Sequence, residues 1–370
     1  MNWPASCKRS VRMAARLDAL DETAARVLVE VAQPEDGAAW DAYVERQPGA
    51  TFYHLFGWRA VAEEAYRLRA PFLIARDDAK GPVRGILPLV RIPRPFTQYL
   101  TTGLFGSYGA LLADEERYAR ALVGEAMRRV DIGQARHLHL KLVGGAPDEP
   151  GLVRHDIWVT AELDLGPSET ALWERLSRKQ RWALRQGRAV GLEPAHGVQE
   201  LDGFYDVLFA NMHRKGAPIY GLKFFRTLVR ALAPFVDVIT LRHRGRVISG
   251  AMVACFKGTM YVPFASSFAE CFGLRANYVL YWEIMRRARE LGCHTLDFGS
   301  SLRDSTGLLF KLKWRPRVVP IATYLYAARH RRPKLDPRES GVAAFVVGAW
   351  GRLPRSVAGL LGPALCRWIA

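Results

Sequence analysis

The stretch Gly273–Trp314 reads GLRANYVLYWEIMRRARELGCHTLDFGSSLRDSTGLLFKLKW, and it predicts a helix, a tight turn and a short buried strand. Four apolar residues recur at helical spacing and would face a core: Leu280, Ile284, Ala288 and Leu291. Gly292 follows at the position of a C-cap glycine. The helix is therefore expected to end there and to lead directly into the strand.

The residues after this turn alternate as a strand does. His294, Leu296 and Phe298 would face one side, and Thr295 and Asp297 the other. Asp297 falls at the end of the strand, just before a Gly-Ser-Ser turn. Because α/β folds place chemistry at strand ends and in the loops that follow, this turn is the first candidate for a site.

Two halves of the chain repeat one order of elements. LIARDDAKGPVRGILPL, from residue 73, aligns with ITLRHRGRVISGAMVA, from residue 239, as strand, turn and strand. Each pair is followed by a helix and a further strand, and the helices share a Glu-x-Met-Arg-Arg motif at Glu125 and Glu283. The offset of about 160 residues predicts an internal duplication. Because hairpins alternate with single helices, we expect an α/β fold with mixed sheets.

The repeat divides the chain into four predicted segments. Residues 1–26 form a poorly ordered leader, 27–160 a first domain, and 161–330 a second domain that carries the site. Residues 331–370 form a basic linker and a short amphipathic tail, which either lies on a membrane or docks on the protein itself.

Composition favours an anionic partner. The 53 Lys and Arg residues against 36 Asp and Glu give a formal charge of +17. Such an excess is typical of proteins that bind nucleic acid, acidic membranes or phosphorylated substrates, although a solvated basic surface is the simpler interpretation. The five cysteines form no CxxC pair, no apolar run reaches the length of a membrane span, and no secretory signal is present. We therefore expect a cytoplasmic protein, with peripheral association at the inner membrane left open.

A basic helix is predicted after Ser168, its expected N-cap. Arginines spaced by three and four residues line one stripe of it, opposite Leu172, Leu176 and Ala183. Because like charges at this spacing repel, the stripe favours an anion-binding role over a merely solvated face. The proposed anion- or phosphate-binding residues are Arg178, Lys179, Arg181, Arg185 and Arg188.

Common catalytic and cofactor motifs are absent from the sequence. It contains no GxGxxG, no GxxxxGK[ST], no GxSxG and no HExxH. His137 and His139 share one face of a predicted strand, but no third ligand lies nearby, so no metal is assigned. Ser300 and Ser301 follow a strand as a nucleophile would, but the local Gly-Ser-Ser lacks a nucleophile-elbow pattern and turn formation explains it better.

The segment LRANYVLYWEIMRRARELGCHTLDFGSS…GLLFKLKW resembles the C-terminal signature of the FemAB-like branch of the GNAT-fold acyltransferases. The basic helix SRKQRWALRQGRAVGL and the segment from Thr51 to Val90 are similar to other parts of that family, so the resemblance spans roughly residues 30 to 330. It implies two tandem GNAT-like domains. FemAB-like proteins of exosortase and exopolysaccharide systems look most similar, through GAPIYGLKFF at 216–225 as well.

The resemblance implies transfer of an acyl or aminoacyl group to an amine of a cell-envelope or exopolysaccharide precursor. Lys311 matches the family's functional lysine and would donate to an oxyanion, with an exposed structural lysine as the alternative. Asp297 either orients or deprotonates the amine, or caps the turn that follows it. Glu283 either faces the substrate or pairs with a neighbouring arginine. Further substrate contacts are expected at Tyr220, Asn277, Trp282, Glu283, Ser300, Phe310 and Trp314.

The acyl donor stays open between aminoacyl-tRNA and acyl-CoA, and no tightly bound cofactor is expected. Neither half contains the [QR]xxGx[GA] loop that binds the CoA pyrophosphate, which weakens acyl-CoA. Charged tRNA, and an anionic membrane surface contacted through residues 341–370, are candidate partners. Two alternatives remain: a CoA-dependent GNAT N-acetyltransferase, and a non-catalytic module that binds RNA or anionic lipid.

Overall fold

The computed structural model describes residues 27–94, 97–102, 108–109, 111–327 and 350–369. The predicted leader, the basic linker and the tail up to residue 349 lie outside the described residues.

Helices and strands alternate along the described chain. The helices are α1 (Gly37–Arg46), α2 (Gly57–Ala60, continued by a wider turn over Val61–Ala65), α3 (Glu116–Asp131), α4 (Glu169–Glu174), α5 (Arg178–Ala189), α6 (Leu201–Arg214), α7 (Leu222–Ala231), α8 (Ala276–Glu290), α9 (Thr306–Leu312) and α10 (Arg355–Ile369). The strands of the first half are β1 (Leu28–Val31), β2 (Leu73–Arg76), β3 (Gly85–Leu87), β4 (Val90–Arg94), β5 (Thr97–Thr101), β6 (Leu112–Ala113) and β7 (His137–Leu142). The remaining strands are β8 (Val153–Asp164), β9 (Glu193–His196), β10 (Val236–His243), β11 (Arg246–Phe256), β12 (Thr259–Ser267), β13 (Thr295–Asp297), β14 (Ser301–Leu302) and β15 (Arg317–Ala327).

Two sheets carry these strands, a small antiparallel one and a large mixed one. A small sheet has the order β1-β2-β3-β6, and a large one runs β4-β5-β7-β15-β8-β13-β12-β11-β10-β9, with β14 paired to β8. The pairs β5/β7 and β12/β13 are parallel, and the other paired strands of the described chain are antiparallel. The prediction of an α/β fold with mixed sheets is confirmed.

Each half contains an antiparallel hairpin and then a parallel pair joined by a helix. In the first half these are β2–β3 and β5–α3–β7, and in the second β10–β11 and β12–α8–β13. A parallel pair needs such a crossover because its strands run in one direction. The two halves thus repeat one order of elements, as the alignment of their sequences predicted.

The halves differ at Pro88. It lies between β3, in the small sheet, and β4, in the large one. Because proline has no N–H to donate to a ladder, pairing stops there and the chain changes sheets. The equivalent strand of the second half, β11, has no such break and runs from Arg246 to Phe256.

The two halves share the large sheet. β15, the last strand of the predicted second domain, pairs with β7 of the first half on one side and with β8 on the other. The predicted boundary between residues 160 and 161 falls inside β8. The division into two domains at that position stays a prediction.

Helix α8 buries the face that its periodicity predicts. Leu280, Ile284 and Ala288 are fully buried. Leu291 was expected beside them but is 42% exposed, because the helix ends at Glu290 and Leu291 is already its C-cap. Gly292 follows with a φ of +75°, as a C-cap glycine requires.

Candidate active-site cleft

A cleft opens where β12 and β13 separate. The two strands pair over three positions, from Thr259 opposite Thr295 to Tyr261 opposite Asp297. β13 then ends while β12 continues to Ser267, which leaves a space of about 360 Å³. It is lined by Asn211, Lys215, Val262, Pro263, Ala265, Ser266, Ser267, Phe272, Asn277, Tyr281, Phe298, Gly299, Ser300, Ser301, Gly307, Phe310 and Lys311.

Gly299 sets the shape of this opening. Its φ is +76°, a conformation that disfavours other residues. A Cβ at this position would lie 2.7 Å from the carbonyl oxygen of Val262, so a side chain cannot fit. The backbone after β13 therefore passes close to β12, and its carbonyl turns towards α9.

Lys311 enters the cleft from α9. The helix begins after Ser305, whose hydroxyl accepts a hydrogen bond from the Leu308 amide. The Lys311 Nζ donates to the Gly299 carbonyl at 2.7 Å and to the Ser301 Oγ at 2.9 Å. Burial lowers the pKa of this amine to about 8, against an opposing effect of Asp297. The ammonium is thus fixed in position and poorly hydrated, as an oxyanion donor should be.

The lining carries hydrogen-bond donors but no acid or imidazole. Among the described lining residues, the polar side chains are four serines, two asparagines, Tyr281, Lys215 and Lys311. Ser267 donates to the Asn277 Oδ1 at 2.6 Å, which ties β12 to the first turn of α8. Burial and the neighbouring Arg214 lower the pKa of Lys215. The cleft therefore suits an anionic or oxyanionic group.

Asp297 lies behind the cleft and does not line it. The carboxylate is 3% exposed and accepts hydrogen bonds from Tyr108, Thr160 and the Gly299 amide, the last at 2.7 Å. Burial raises its pKa against the effect of these bonds. The expectation that Asp297 orients or deprotonates the amine is therefore wrong in this geometry, because the carboxylate is buried behind the cleft and out of contact with its space. The alternative, capping of the Gly-Ser turn, describes the observed contacts.

Two predicted substrate contacts lie in the protein core. Tyr220 packs on Phe224 with ring centroids 4.7 Å apart and does not line the cleft. Trp282 is 1% exposed and meets Trp173 edge to face. Both predictions are wrong. These two aromatic rings pack against other aromatic rings, because burying their large apolar area is favourable.

The remaining predicted residues divide between the cleft and its support. Ser300, Phe310 and Asn277 line it, and Asn277 does so from the first turn of α8. Trp314 is 5% exposed and lies beneath the lining, against Tyr278 and Tyr281. Glu283 forms an ion pair with Arg286 at 2.9 Å, as its structural alternative predicted.

The predicted basic helix is two helices, α4 and α5, with Ser168 and Ser177 as their N-caps. Residues 178, 179, 185 and 188 are exposed and Arg181 is half-buried. Within the described residues, none of these five cations forms an ion pair with a carboxylate, while Arg175 just before them pairs with Asp164. Gly187 lets α5 approach α8 closely, since a Cβ there would lie 2.3 Å from Val279. The stripe therefore faces solvent from a rigid support.

Several cleft residues were missed from the sequence. Lys215 and Asn211 come from the end of α6, and Ser266 and Ser267 from the end of β12. Ser266 and Ser267 could have been found from the sequence, because they end β12, a strand of the second repeat. No sequence pattern indicated Tyr108 and Thr160, because the residues that donate hydrogen bonds to Asp297 lie 189 and 137 positions away from it in the chain.

Comparison with known proteins agrees with this architecture. Residues 172–304 match the family model described as Acetyltransferase (GNAT) domain. FemX is similar with a TM-score of 0.64 and 14% identity, covering 81% of this chain and 97% of FemX. L-PGS from Bacillus licheniformis is similar with a TM-score of 0.54 and 12% identity, covering 88% of this chain and 98% of that one. A conserved protein from Bacteroides thetaiotaomicron has a TM-score of 0.53 and 11% identity, with coverages of 81% and 99%. The curated proteins gave no match.

The fold is GNAT-like, and residues 172–304 match a GNAT acetyltransferase domain. The prediction of an acyltransferase is confirmed at this level. Such enzymes join an acyl donor to an amine acceptor. The cleft lies within the matched segment, except for its residues on α9.

Within the described ranges no helix is long and apolar enough to cross a membrane. The same ranges contain no cluster of three or more His, Cys, Asp or Glu that could hold a metal ion.

Proposed function

We propose that this protein is a FemAB-like N-acyltransferase that transfers an acyl or aminoacyl group to an amine of a cell-envelope or exopolysaccharide precursor. The observation that carries the proposal is the Lys311 ammonium, held at the mouth of the β12/β13 opening by Gly299 and Ser301. The sequence resemblance and the similarity in fold to FemX support the branch.

The reaction needs an oxyanion site more than it needs a nucleophilic side chain. The acceptor nitrogen attacks the donor carbonyl, a C–N bond forms, and the carbonyl oxygen becomes an oxyanion. The C–O or C–S bond to the donor then breaks, and the leaving alcohol or thiol takes up a proton. Lys311 is assigned to the oxyanion, because its charge is desolvated and its position is fixed.

The acceptor must lose a proton before or during attack. Among the described residues that line the cleft there is no carboxylate and no histidine. We assign this proton to water or to the substrate itself, because Asp297 is buried behind the cleft and does not line it. The acceptor is accordingly an amine that reacts from its neutral form.

The donor assignment favours aminoacyl-tRNA. The cations of the α5 stripe are unpaired with described carboxylates, and α5 is packed on α8, whose Asn277 lines the cleft. A phosphate backbone would be attracted to this surface. Acyl-CoA is the second candidate, because the N-terminus of the 15-residue α8 opens at the cleft with no side-chain cap and would favour a phosphate.

A binding comparison tests the proposal on purified protein. Acetyl-CoA, aminoacylated tRNA and uncharged tRNA are titrated separately, each at low and moderate salt. Preference for charged over uncharged tRNA that is lost in Lys311→Met supports the proposal. Saturable binding of acetyl-CoA alone moves the assignment to a CoA-dependent acetyltransferase. Binding of neither donor contradicts an acyltransferase at this cleft.

A further inference from the structure

Helix α10 has its large and small residues on unexpected sides. The side that packs on the protein is made of small residues: Ala358 and Gly362 are buried, and a Cβ at Gly359 would lie 3.6 Å from Phe209 of α6. Cys366 is also buried, at 4% exposure. Small residues let the helix approach closely, so α10 is docked without using its larger side chains.

Four large apolar side chains of α10 face solvent. Leu360 is 79% exposed, Leu361 44%, Trp368 44% and Val357 38%. At 3.6 residues per turn these four positions fall within about 100° of arc, opposite the docked side. A surface helix of a globular domain normally shows the reverse arrangement. The exposed apolar side chains are therefore available to contact a partner and do not contribute to the protein core.

The charges around this face select its partner. Residues 341–370 contain three arginines and no acidic residue. Arg352, just before the helix, and Arg367, beside Trp368, are exposed near the apolar face, while Arg355 lies on the docked side with Asp206 and Arg246. Leucines with a tryptophan on one side and arginines at the margins are typical of helices that lie in the plane of an anionic membrane.

We propose that the outer face of α10, formed by Val357, Leu360, Leu361 and Trp368, binds the surface of an anionic lipid bilayer. The docked side keeps the helix on the protein, so insertion does not need unfolding of the tail. The two alternatives predicted for the tail, membrane or protein core, are thereby combined: one side of the helix serves each.

This surface adjoins the candidate active-site cleft. The His213 Nε2 donates to the Leu353 carbonyl at 2.9 Å, and Gly351 lies against Gly216. These contacts place the start of α10 beside the end of α6, where the neighbouring residue Lys215 lines the cleft. Resting on the proposed function, this adjacency specifies an acceptor anchored in or lying at the membrane surface.

Vesicle flotation with the full chain tests the inference without any donor or acceptor. Vesicles of phosphatidylcholine with a minority of phosphatidylglycerol should bind the protein, and pure phosphatidylcholine should bind it more weakly. Leu360→Gln with Leu361→Gln should lower the affinity at least about tenfold, because two leucines lose their burial in lipid. Arg352→Gln with Arg367→Gln should lower it about fivefold per arginine, and only for the anionic vesicles.

Ile132→Gln is the matched control, since Ile132 is 53% exposed and belongs to the end of α3 and not to α10. Its vesicle affinity should equal that of the wild type. Equal affinities for the wild type and the double leucine variant overturn the inference, as does an equal loss in the control. A wild-type dimer in solution that the leucine variant abolishes also overturns it, because the face would then belong to a second copy. Binding of donors at the cleft is measured separately, so either proposal can fail alone.

Discussion

The phenol of Tyr108 donates a hydrogen bond to the Oδ2 of Asp297, across 189 residues of sequence. The other carboxylate oxygen accepts the Gly299 amide at 2.7 Å, and the Gly299 carbonyl accepts the Lys311 Nζ at 2.7 Å. A residue of the first half is thus connected through three hydrogen bonds to the amine in the cleft of the second. Tyr108 and Asp297 position Lys311, while neither lines the cleft.

Tyr108→Phe should lower the pKa of Lys311. The Tyr108 hydrogen bond lowers the pKa of Asp297, and the Asp297 charge raises that of Lys311. Removing the phenol leaves Asp297 less ionised, so the ammonium loses part of its electrostatic support. The rate at which an amine-specific acylating reagent labels Lys311, followed against pH by mass spectrometry, reports the change as a titration midpoint below the wild-type value of about 8.

Tyr53→Phe is the control for this experiment. Its ring lies 4.9 Å from that of Tyr108 in the same buried cluster, but no hydrogen bond to Asp297 is described for it. The midpoint should stay at the wild-type value. If Tyr108→Phe leaves the midpoint unchanged as well, the connection from Tyr108 to Lys311 has no electrostatic effect.

Lys311→Met should reduce acyl transfer by roughly a hundredfold to a thousandfold, the usual cost of an oxyanion donor. Its fold, measured by circular dichroism, should be retained because Lys311 is only partly buried. The ratio of the wild-type rate to the Lys311→Met rate should fall as pH rises through about 8, since deprotonation removes the charge that binds the oxyanion, while ionisation of the acceptor affects both proteins alike. A ratio that instead rises through this pH would assign Lys311 as a base.

Reversing two charges of the stripe, Arg181→Glu with Arg185→Glu, should weaken tRNA binding and lower the slope of log affinity against log salt by about two. Fluorescence anisotropy of labelled tRNA measures both. Arg226→Glu with Arg230→Glu gives the same charge change at arginines paired with Asp202 and Glu64, and should have a much smaller effect. Equal effects of the two pairs would indicate non-specific attraction by net charge.

Acid should destabilise the protein through His54. Its Nδ1 accepts the Thr51 amide at 2.9 Å, so protonation of that nitrogen would break a hydrogen bond. Burial lowers the pKa of His54 from 6.5 to about 3, and the unfolded chain therefore binds the extra proton as pH falls below 6.5. Stability should drop by about 2 kcal/mol between pH 6.5 and pH 5 from this group alone.

Urea unfolding of the wild type and of His54→Asn at both pH values measures this contribution. His54→Asn is less stable than the wild type at neutral pH. Its free energy of unfolding should, however, fall less between pH 6.5 and pH 5, and the difference should equal the contribution of His54. Parallel losses in the two proteins would show that His54 titrates alike in the folded and unfolded states.

Mild oxidation should join Cys255 to Cys293. Both are free thiols, and their Sγ atoms lie 2.8 Å apart. The hydrogen bond from Cys293 lowers the pKa of Cys255 to about 7, which supplies a thiolate. An azodicarboxamide oxidant takes up two electrons and two protons as the disulfide forms, so intact mass should fall by two hydrogens. Cys255→Ser should abolish this change, and a disulfide through the lone Cys271 would contradict it.

The elements around the cleft could be predicted in outline. The helix that stops just before Gly292, the strand ending at Asp297 and the glycine turn after it are all present. Each depends on neighbours within a few residues, which periodicity and capping record. The roles of side chains were less predictable, as Trp282 and Tyr220 show. An aromatic residue that is close to a site in sequence can lie either in the cleft or in the core. Which of the two it occupies depends on contacts with elements far away in the chain.

By itself, then, the sequence determined the mixed α/β class, the repeated order of elements and the unpaired basic stripe on α5, because these follow from local periodicity, turn chemistry and charge spacing. Only the tertiary structure decided that Asp297 would be enclosed by Tyr108 and Thr160, that β15 would insert between the halves, and that α10 would dock by its small residues with its leucines outward. These arrangements arise from contacts between residues far apart in the chain, where burial and hydrogen bonding across the sheet outweigh any local preference.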